Sequence, residues 1–132
     1  MKLDTAIKVV RELQRYRDPE CKKRDPKGWY IRNVLKPCTN AQFSEALNAT
    51  DVTKLRYARV VWADLATLKS AKQSCLSPRR LIYQLRRVPH KKRPTVCRLK
   101  DGTHLVWDGN HRAVAHVLLG RRRIRCVEIR KA

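Results

Sequence analysis

Between Thr103 and Gly120 the chain passes from an alternating apolar run, Thr103 to Trp107, into a helical run, Ala113 to Leu119. Only Asp108-Gly109-Asn110-His111-Arg112 lies between them. A strand feeding a helix through so short a turn leaves the first helical N–H groups unpaired and facing outward. With the positive end of the helix dipole, those groups form an anion site. Three of the five residues have local reasons to be there: Asp108-Gly109 is a turn pair and Asn110 is a favoured N-cap. His111 and Arg112 have none, because the dipole disfavours positive charge at a helix start. The loop therefore reads as a phosphate or anion site, with Gly109, Asn110, His111 and Arg112 as its binding residues.

Upstream of this unit, Thr95 to Lys100 and Thr103 to Trp107 flank Asp101-Gly102 and predict a hairpin with a two-residue turn. The path from Leu105 to Ile129 has the connectivity of a right-handed parallel crossover. Asp4 can cap a first helix, with Ala6, Ile7, Val9, Val10, Leu13 and Tyr16 as its apolar stripe. Arg17 to Gly28 reads as a charged loop, and Trp29 to Leu35 as either a strand or a helical turn. Thr39 or Asn40 caps a helix running through Leu47. A strand from Ala58 to Trp62 follows, with Val60, Val61 and Trp62 largely buried. Asp64-Leu65 then leads into a linker through Ser77-Pro78, and Pro78 opens a helix to Arg87 with Leu81, Ile82 and Leu85 on one side. These elements predict an α/β (α+β) protein: a small mixed sheet with flanking helices, in which 1–57 is a mainly helical N-terminal extension of a domain at 58–132, the two forming one compact unit.

The ordered set Arg93-Pro94-Thr95-Val96, Leu105-Val106-Trp107, Asp108-Gly109-Asn110-His111-Arg112, Leu119-Gly120 and Ile124-Arg125-Cys126-Val127-Glu128-Ile129 resembles the ParB/sulfiredoxin superfamily. The similarity extends more weakly back to about Ala58. The superfamily includes ParB partition proteins, sulfiredoxins, ParB-like nucleases and some free-serine kinases. In sulfiredoxins the position after the motif glycine is a nucleophilic cysteine; here it is Asn110, whose amide cannot supply a thiolate. The D-G-x-H-R form is closer to the kinases and the ParB-like nucleases. The resemblance implies a loop that binds phosphate, with ATP or CTP as the nucleotides a switch or phosphotransferase would hold.

Charge narrows the partner. The chain carries 32 Lys and Arg against 11 Asp and Glu, a net +21. Residues 1–57 hold 13 basic and 7 acidic residues, +6, and residues 58–132 hold 19 and 4, +15. So compact a positive charge calls for a polyanion, and nucleic acid, DNA before RNA, is the expected partner. Four clusters carry the excess: Lys22-Lys23-Arg24; Arg79-Arg80 with Arg86-Arg87; His90-Lys91-Lys92-Arg93; and Arg121-Arg122-Arg123 with Arg125. Arg79, Arg80, Lys91, Lys92, Arg93, Arg121, Arg122 and Arg123 are the candidate backbone contacts, because Arg forks suit phosphate oxygens. Nothing resembles a helix-turn-helix or a zinc finger, so phosphate binding is favoured over base reading. Trp62 and Trp107 read as core and Trp29 as the stacking candidate.

No apolar run approaches the ~18 residues of a membrane span, and Met1-Lys2-Leu3-Asp4 opens no signal peptide. A cytoplasmic protein without membrane contact is expected. Cys21, Cys38, Cys75, Cys97 and Cys126 are odd in number and widely spaced, which argues against a disulfide framework or a zinc ribbon. As a nuclease the chain would use His111 as base or acid, Arg112 to stabilise the phosphorane, and Asp108 with Asp64 to ligate Mg²⁺. Two alternatives stand beside that reading. One is a nucleotide-dependent phosphotransferase or switch. The other is a non-catalytic phage or mobile-element protein that occupies DNA or a host factor.

Overall fold

The computed structural model describes residues 1–16, 18–24, 31–49, 56–71 and 75–131. Helix α1 (Leu3–Tyr16) buries Ala6, Ile7 and Val10, which recur at helical spacing, while Leu13 stays partly exposed. A short helix, α2 (Pro19–Arg24), occupies what reads in the sequence as a charged loop. The Asp18 carboxylate accepts the Glu20 N–H at 2.9 Å, and proline opens the first turn. Strand β1 (Ile31–Arg32) settles the strand-or-turn alternative there. Strand β2 (Lys36–Pro37) precedes α3 (Asn40–Ala49), which Thr39 caps: its hydroxyl accepts the Gln42 N–H at 3.1 Å while Gln42 accepts the Thr39 N–H at 2.9 Å.

The edge strand β3 (Arg56–Asp64) runs longer than its apolar run suggests. The expected linker contains two further short strands, β4 (Lys69–Ser70) and β5 (Cys75–Leu76). Strand β5 pairs antiparallel with β1, and across that pairing Cys21 and Cys75 form a disulfide. The expectation drawn against disulfides from the odd, widely spaced cysteines is corrected for this one pair: the partners lie 54 residues apart, so only the β1–β5 contact reveals them. Cys97 and Cys126 are buried small side chains outside this disulfide.

Helix α4 (Pro78–Leu85) is capped by Ser77, whose hydroxyl accepts the Arg80 N–H at 3.3 Å. Leu81 and Leu85 face inward, each contributing roughly 1.5–3 kcal/mol by burial. Strands β6 (Thr95–Arg98) and β7 (His104–Asp108) form the hairpin. Its loop has three residues, not two. Leu99 N–H donates to Thr103 O and Gly102 N–H to Leu99 O, with Gly102 at φ +86°, the geometry of a turn followed by a left-handed residue. Helix α5 (Asn110–Leu118) and strand β8 (Arg123–Lys131) complete the chain.

The main sheet has the order β2-β4-β7-β6-β8-β3. Strand β8 crosses to the far side of β6 and lies parallel to it, while β6 is antiparallel to β7. The expected parallel crossover from β7 to β8 is therefore corrected: α5 joins two antiparallel strands with β6 inserted between them. Helices α1, α4 and α5 cover one face, burying Val96, Val106, Val114, Ile124 and Cys126. Helix α3 covers the middle of the other face over Cys97, Leu99 and Leu105, with Phe43 stacked on Trp107 at 5.9 Å. Strand β3 is covered on one side only. Ala63 is buried there, but the alternate positions Val60 and Trp62 are 50% and 51% exposed, so their expected burial is corrected. The architecture is a mixed sheet with flanking helices, an α+β fold. Residues on both sides of position 58 build it, since β1 and β2 pair with β5 and β4.

Candidate phosphate-binding cleft

Two helix N-termini meet beside the Asp108–Arg112 loop. Ser77, the cap of α4, donates its backbone N–H to His111 Nε2 in the first turn of α5 at 3.1 Å. The positive dipole ends of both helices are thereby brought together. A cleft of about 480 Å³ opens at this junction, lined by Arg80, Tyr83 and Gln84 from α4 and by residues Asp108 to Arg112.

Gly109, not Asn110, is the N-cap of α5. Its φ of +99° and ψ of 32° are left-handed, and its carbonyl accepts the Ala113 N–H at 3.0 Å. A glycine is required on two counts. L-residues rarely adopt this conformation, and a Cβ here would lie 3.0 Å from both Cα and Cβ of Pro94. The same Cβ would be 3.4 Å from Arg112 Nη1, so the Arg112 guanidinium lies beside this backbone. A glycine cap brings no side chain to the first turn, and the N–H groups of residues 110–112 are beyond the reach of the helix's own carbonyls.

Asn110 is corrected as a cap. It is the first helical residue and is buried, and its Oδ1 accepts from Ser70 Oγ at 2.9 Å and from Asn33 Nδ2 at 3.2 Å. Asn33 Nδ2 also lies 3.1 Å from Ser70 Oγ, closing a buried triangle that joins the loop to β4 and to the segment after β1. Asn110 therefore orients the loop from beneath. His111 is partly buried and held down to about 4, by burial first and the Arg80 guanidinium second. It is neutral at pH 7. Because Nε2 accepts the Ser77 N–H, its proton sits on Nδ1, and proton uptake at Nε2 would break that bond. Asp108 is exposed at the cleft mouth.

Asp64 does not join Asp108. It ends β3, where its carboxylate accepts the Ala66 N–H at 2.9 Å, and three strand spacings, roughly 14 Å, separate β3 from β7. Among the described residues no three His, Cys, Asp or Glu side chains gather as a metal site. His104 contacts the buried Glu128 carboxylate at 2.7 Å, and Arg59 Nε donates to the same carboxylate at 3.3 Å. Asp101 is occupied in its own turn, accepting the Thr103 N–H at 3.0 Å. Of the four carboxylates after position 57, Asp108 alone lines a cleft described here.

The basic clusters divide. Arg80 lines the first cleft, whereas Lys92, Arg93, Arg121, Arg123 and Arg125 line a second cleft of about 250 Å³ beside Trp62. Arg79, Lys91 and Arg122 are exposed and line neither, and Trp29 lies outside the described residues. Pro94, against Gly109, also lines the second cleft, and His90 Nε2 contacts the Gln84 carbonyl of α4 at 2.8 Å. The two clefts are thus neighbours separated by the loop between α4 and β6.

Tyr83, Gln84, Asn33, Ser70 and Ser77 were not singled out from the sequence. Arg80, Tyr83, Gln84 and Arg87 recur at helical spacing opposite Leu81 and Leu85, and that polar stripe was the available signal; Arg87 Cζ lies 3.3 Å over the Tyr83 ring. Asn33 and Ser70 lie far apart in sequence and carry no such signal.

No protein-family profile matches the chain. No curated protein sequence matches it either. Among solved structures it is similar to sulfiredoxin from Arabidopsis thaliana, with 22% identity and a TM-score of 0.45, covering 56% of this chain and 86% of that one. No helix in the described residues is long and apolar enough to cross a membrane.

Proposed function

We propose that this protein binds nucleic acid, DNA foremost, through its phosphates, with the Asp108–Arg112 cleft as the anchoring phosphate site. The observation that carries this reading is the meeting of two helix N-termini with Arg80 and Arg112 around one cleft. A phosphate oxygen there would accept from the backbone N–H groups of the α5 first turn and from the guanidiniums. His111, neutral with its proton on Nδ1, serves as a polar wall that adds no charge. Among the described residues Asp108 is the one anionic group lining the cleft. It suits a hydroxyl donor on the ligand, or a Mg²⁺ held by one carboxylate and the ligand's own phosphate oxygens, the arrangement that ion commonly adopts. The loop's likeness to the D-G-x-H-R members of the ParB/sulfiredoxin superfamily supports the same placement of phosphate.

A mononucleotide reading is favoured by one observation. The cleft volume of about 480 Å³ lies within the range of small-molecule sites, roughly 300–1,000 Å³. ATP or CTP would then occupy the cleft and the basic surface would act separately. A single experiment addresses both readings. Binding of a labelled DNA is measured across salt concentrations, with and without ATP, CTP and Mg²⁺. Engagement of about six phosphates by the cations of the two clefts gives a slope of log affinity against log salt near −5 for duplex DNA. Arg112→Ala should weaken binding and flatten the slope by about one. No binding at low salt, or a flat salt dependence, refutes the nucleic-acid reading. Saturable ATP or CTP binding that Arg112→Ala abolishes, without DNA binding, establishes the other.

A further inference from the structure

The second cleft differs from the first in kind. It is lined by Lys92, Arg93, Arg121, Arg123 and Arg125, and among the described residues no carboxylate lines it; Asp64 on the neighbouring strand is paired in register with Arg123. Its histidines add no charge at neutral pH. His116 is held down to about 4 by burial first, and His90 is lowered by burial first. From the described residues the cleft therefore presents five permanent cations.

Trp62 forms its edge. Directly opposite in the β3–β8 register is Arg125, and Arg123 sits diagonally across. Their guanidinium carbons lie 4.9 Å and 5.0 Å from the Trp62 ring centroid. Trp62 as a residue is nevertheless 51% exposed, and Val60, two residues back on the same face, is 50% exposed. A large aromatic left open on a sheet face beside five cations, with Asp64 two residues along the strand, is electrostatically hostile to a basic partner. It suits a ligand with a flat apolar face next to a negative charge, which describes a nucleotide whose base is not already stacked and paired. In duplex DNA both faces of each base are occupied by its neighbours, so only an unpaired base can reach the ring.

We infer that Trp62, flanked by Arg123 and Arg125, is a base-stacking subsite that gives this protein a preference for single-stranded over duplex nucleic acid. The inference rests on the phosphate-binding reading and deepens it. The strand's phosphates lie against Lys92, Arg93 and Arg121, its base lies on Trp62, and the path continues past Pro94 toward Gly109 in the first cleft. Aromatic and guanidinium planes both serve as stacking platforms for bases.

The test uses the full chain with a thymidine oligonucleotide and a duplex of the same length. Trp62→Ala is expected to weaken single-strand binding roughly 5- to 150-fold, the range for one stacked base, and to leave duplex affinity nearly unchanged. Trp62→Phe should recover most of the loss. Thermal melts of both variants establish that they fold, and Trp62→Phe keeps the test decisive if the alanine variant does not. Single-strand affinity unchanged in Trp62→Ala, with wild-type binding still salt-dependent, overturns the stacking subsite and leaves the phosphate reading standing. Equal losses on single strand and duplex, not rescued by Phe, overturn it as well. A wild-type protein that binds neither nucleic acid refutes the phosphate reading itself. A dimer that dissociates in Trp62→Ala, without any change in nucleic-acid affinity, assigns the open face to a second copy of the chain instead.

Discussion

Replacing Gly109 by Ala should destabilise the protein more than the same change at Gly102, and the difference follows from their surroundings. Both residues have positive φ, +99° and +86°, so a Cβ costs about 1–2 kcal/mol at either. At Gly102 nothing lies within 4 Å of the added atom, so the conformational cost is the whole effect. At Gly109 the new Cβ would sit 3.0 Å from two atoms of Pro94. Pro94 is fully buried and donates nothing, but its carbonyl accepts the Val127 N–H at 2.9 Å, which ties it to β8. Its backbone therefore yields poorly, and overpacking of this kind adds roughly 1–3 kcal/mol. The expected losses are about 1–2 kcal/mol for Gly102→Ala and about 2–5 kcal/mol for Gly109→Ala. For a chain of this size the gap corresponds to about 3–5 °C of melting temperature per kcal/mol. Thermal and urea denaturation of the two variants measure it, and a valine at position 109 should be worse than alanine. Equal destabilisation at the two sites would refute the claim that the loop is seated on Pro94.

Acid should destabilise the fold through its neutral histidines. His111 and His116 have pKa values near 4 when folded against an ordinary value of 6.5. A depressed folded pKa means the unfolded chain binds the extra proton, so the stabilisation is complete above about 6.5 and is lost as pH falls toward about 4. Each contributes at most about 3 kcal/mol, and the two are independent in position. Melting temperature followed from neutral pH downward should fall across this window, and His116→Phe should flatten part of the fall; an unchanged profile in that variant contradicts the assignment. If the protein cleaves phosphodiesters, His111→Ala should lower turnover roughly 100- to 10,000-fold with little change in affinity. Cleavage that survives loss of His111, Arg112 and Asp108 belongs to a contaminant, and wild-type binding without cleavage across metals and substrates removes the catalytic role.

The parts of the fold legible in the sequence are those whose causes are local. The cap at Thr39, offered beside Asn40, Pro78 in the first turn of α4, and the Asp108–Arg112 turn all appear where their residues predict, because each is decided within a few positions. What remained hidden depends on pairings between distant segments. The short strands β4 and β5 exist only because β2, β7 and β1 lie beside them, and the Cys21–Cys75 disulfide follows from the same contact. Trp62 misled for a related reason. Val60-Val61-Trp62 has the apolarity of a strand buried on both faces, but β3 is an edge strand with one covered side. Within the site, the loop and its cations were visible, while the triangle beneath it was not. Asn110 looks like a cap in isolation, and only the arrival of Asn33 and Ser70 turns it inward.

The most direct test is a backbone-amide NMR titration of the labelled protein with a short DNA oligonucleotide at low salt. Binding at the α5 N-terminus predicts the largest shifts at the amides of Asn110, His111 and Arg112, with accompanying changes at the Arg80 and Arg112 guanidiniums, all reduced by Arg112→Ala. Shifts confined to residues elsewhere, with the Asp108–Arg112 amides unmoved at saturation, would contradict the phosphate site and reduce the loop to a turn and a helix start.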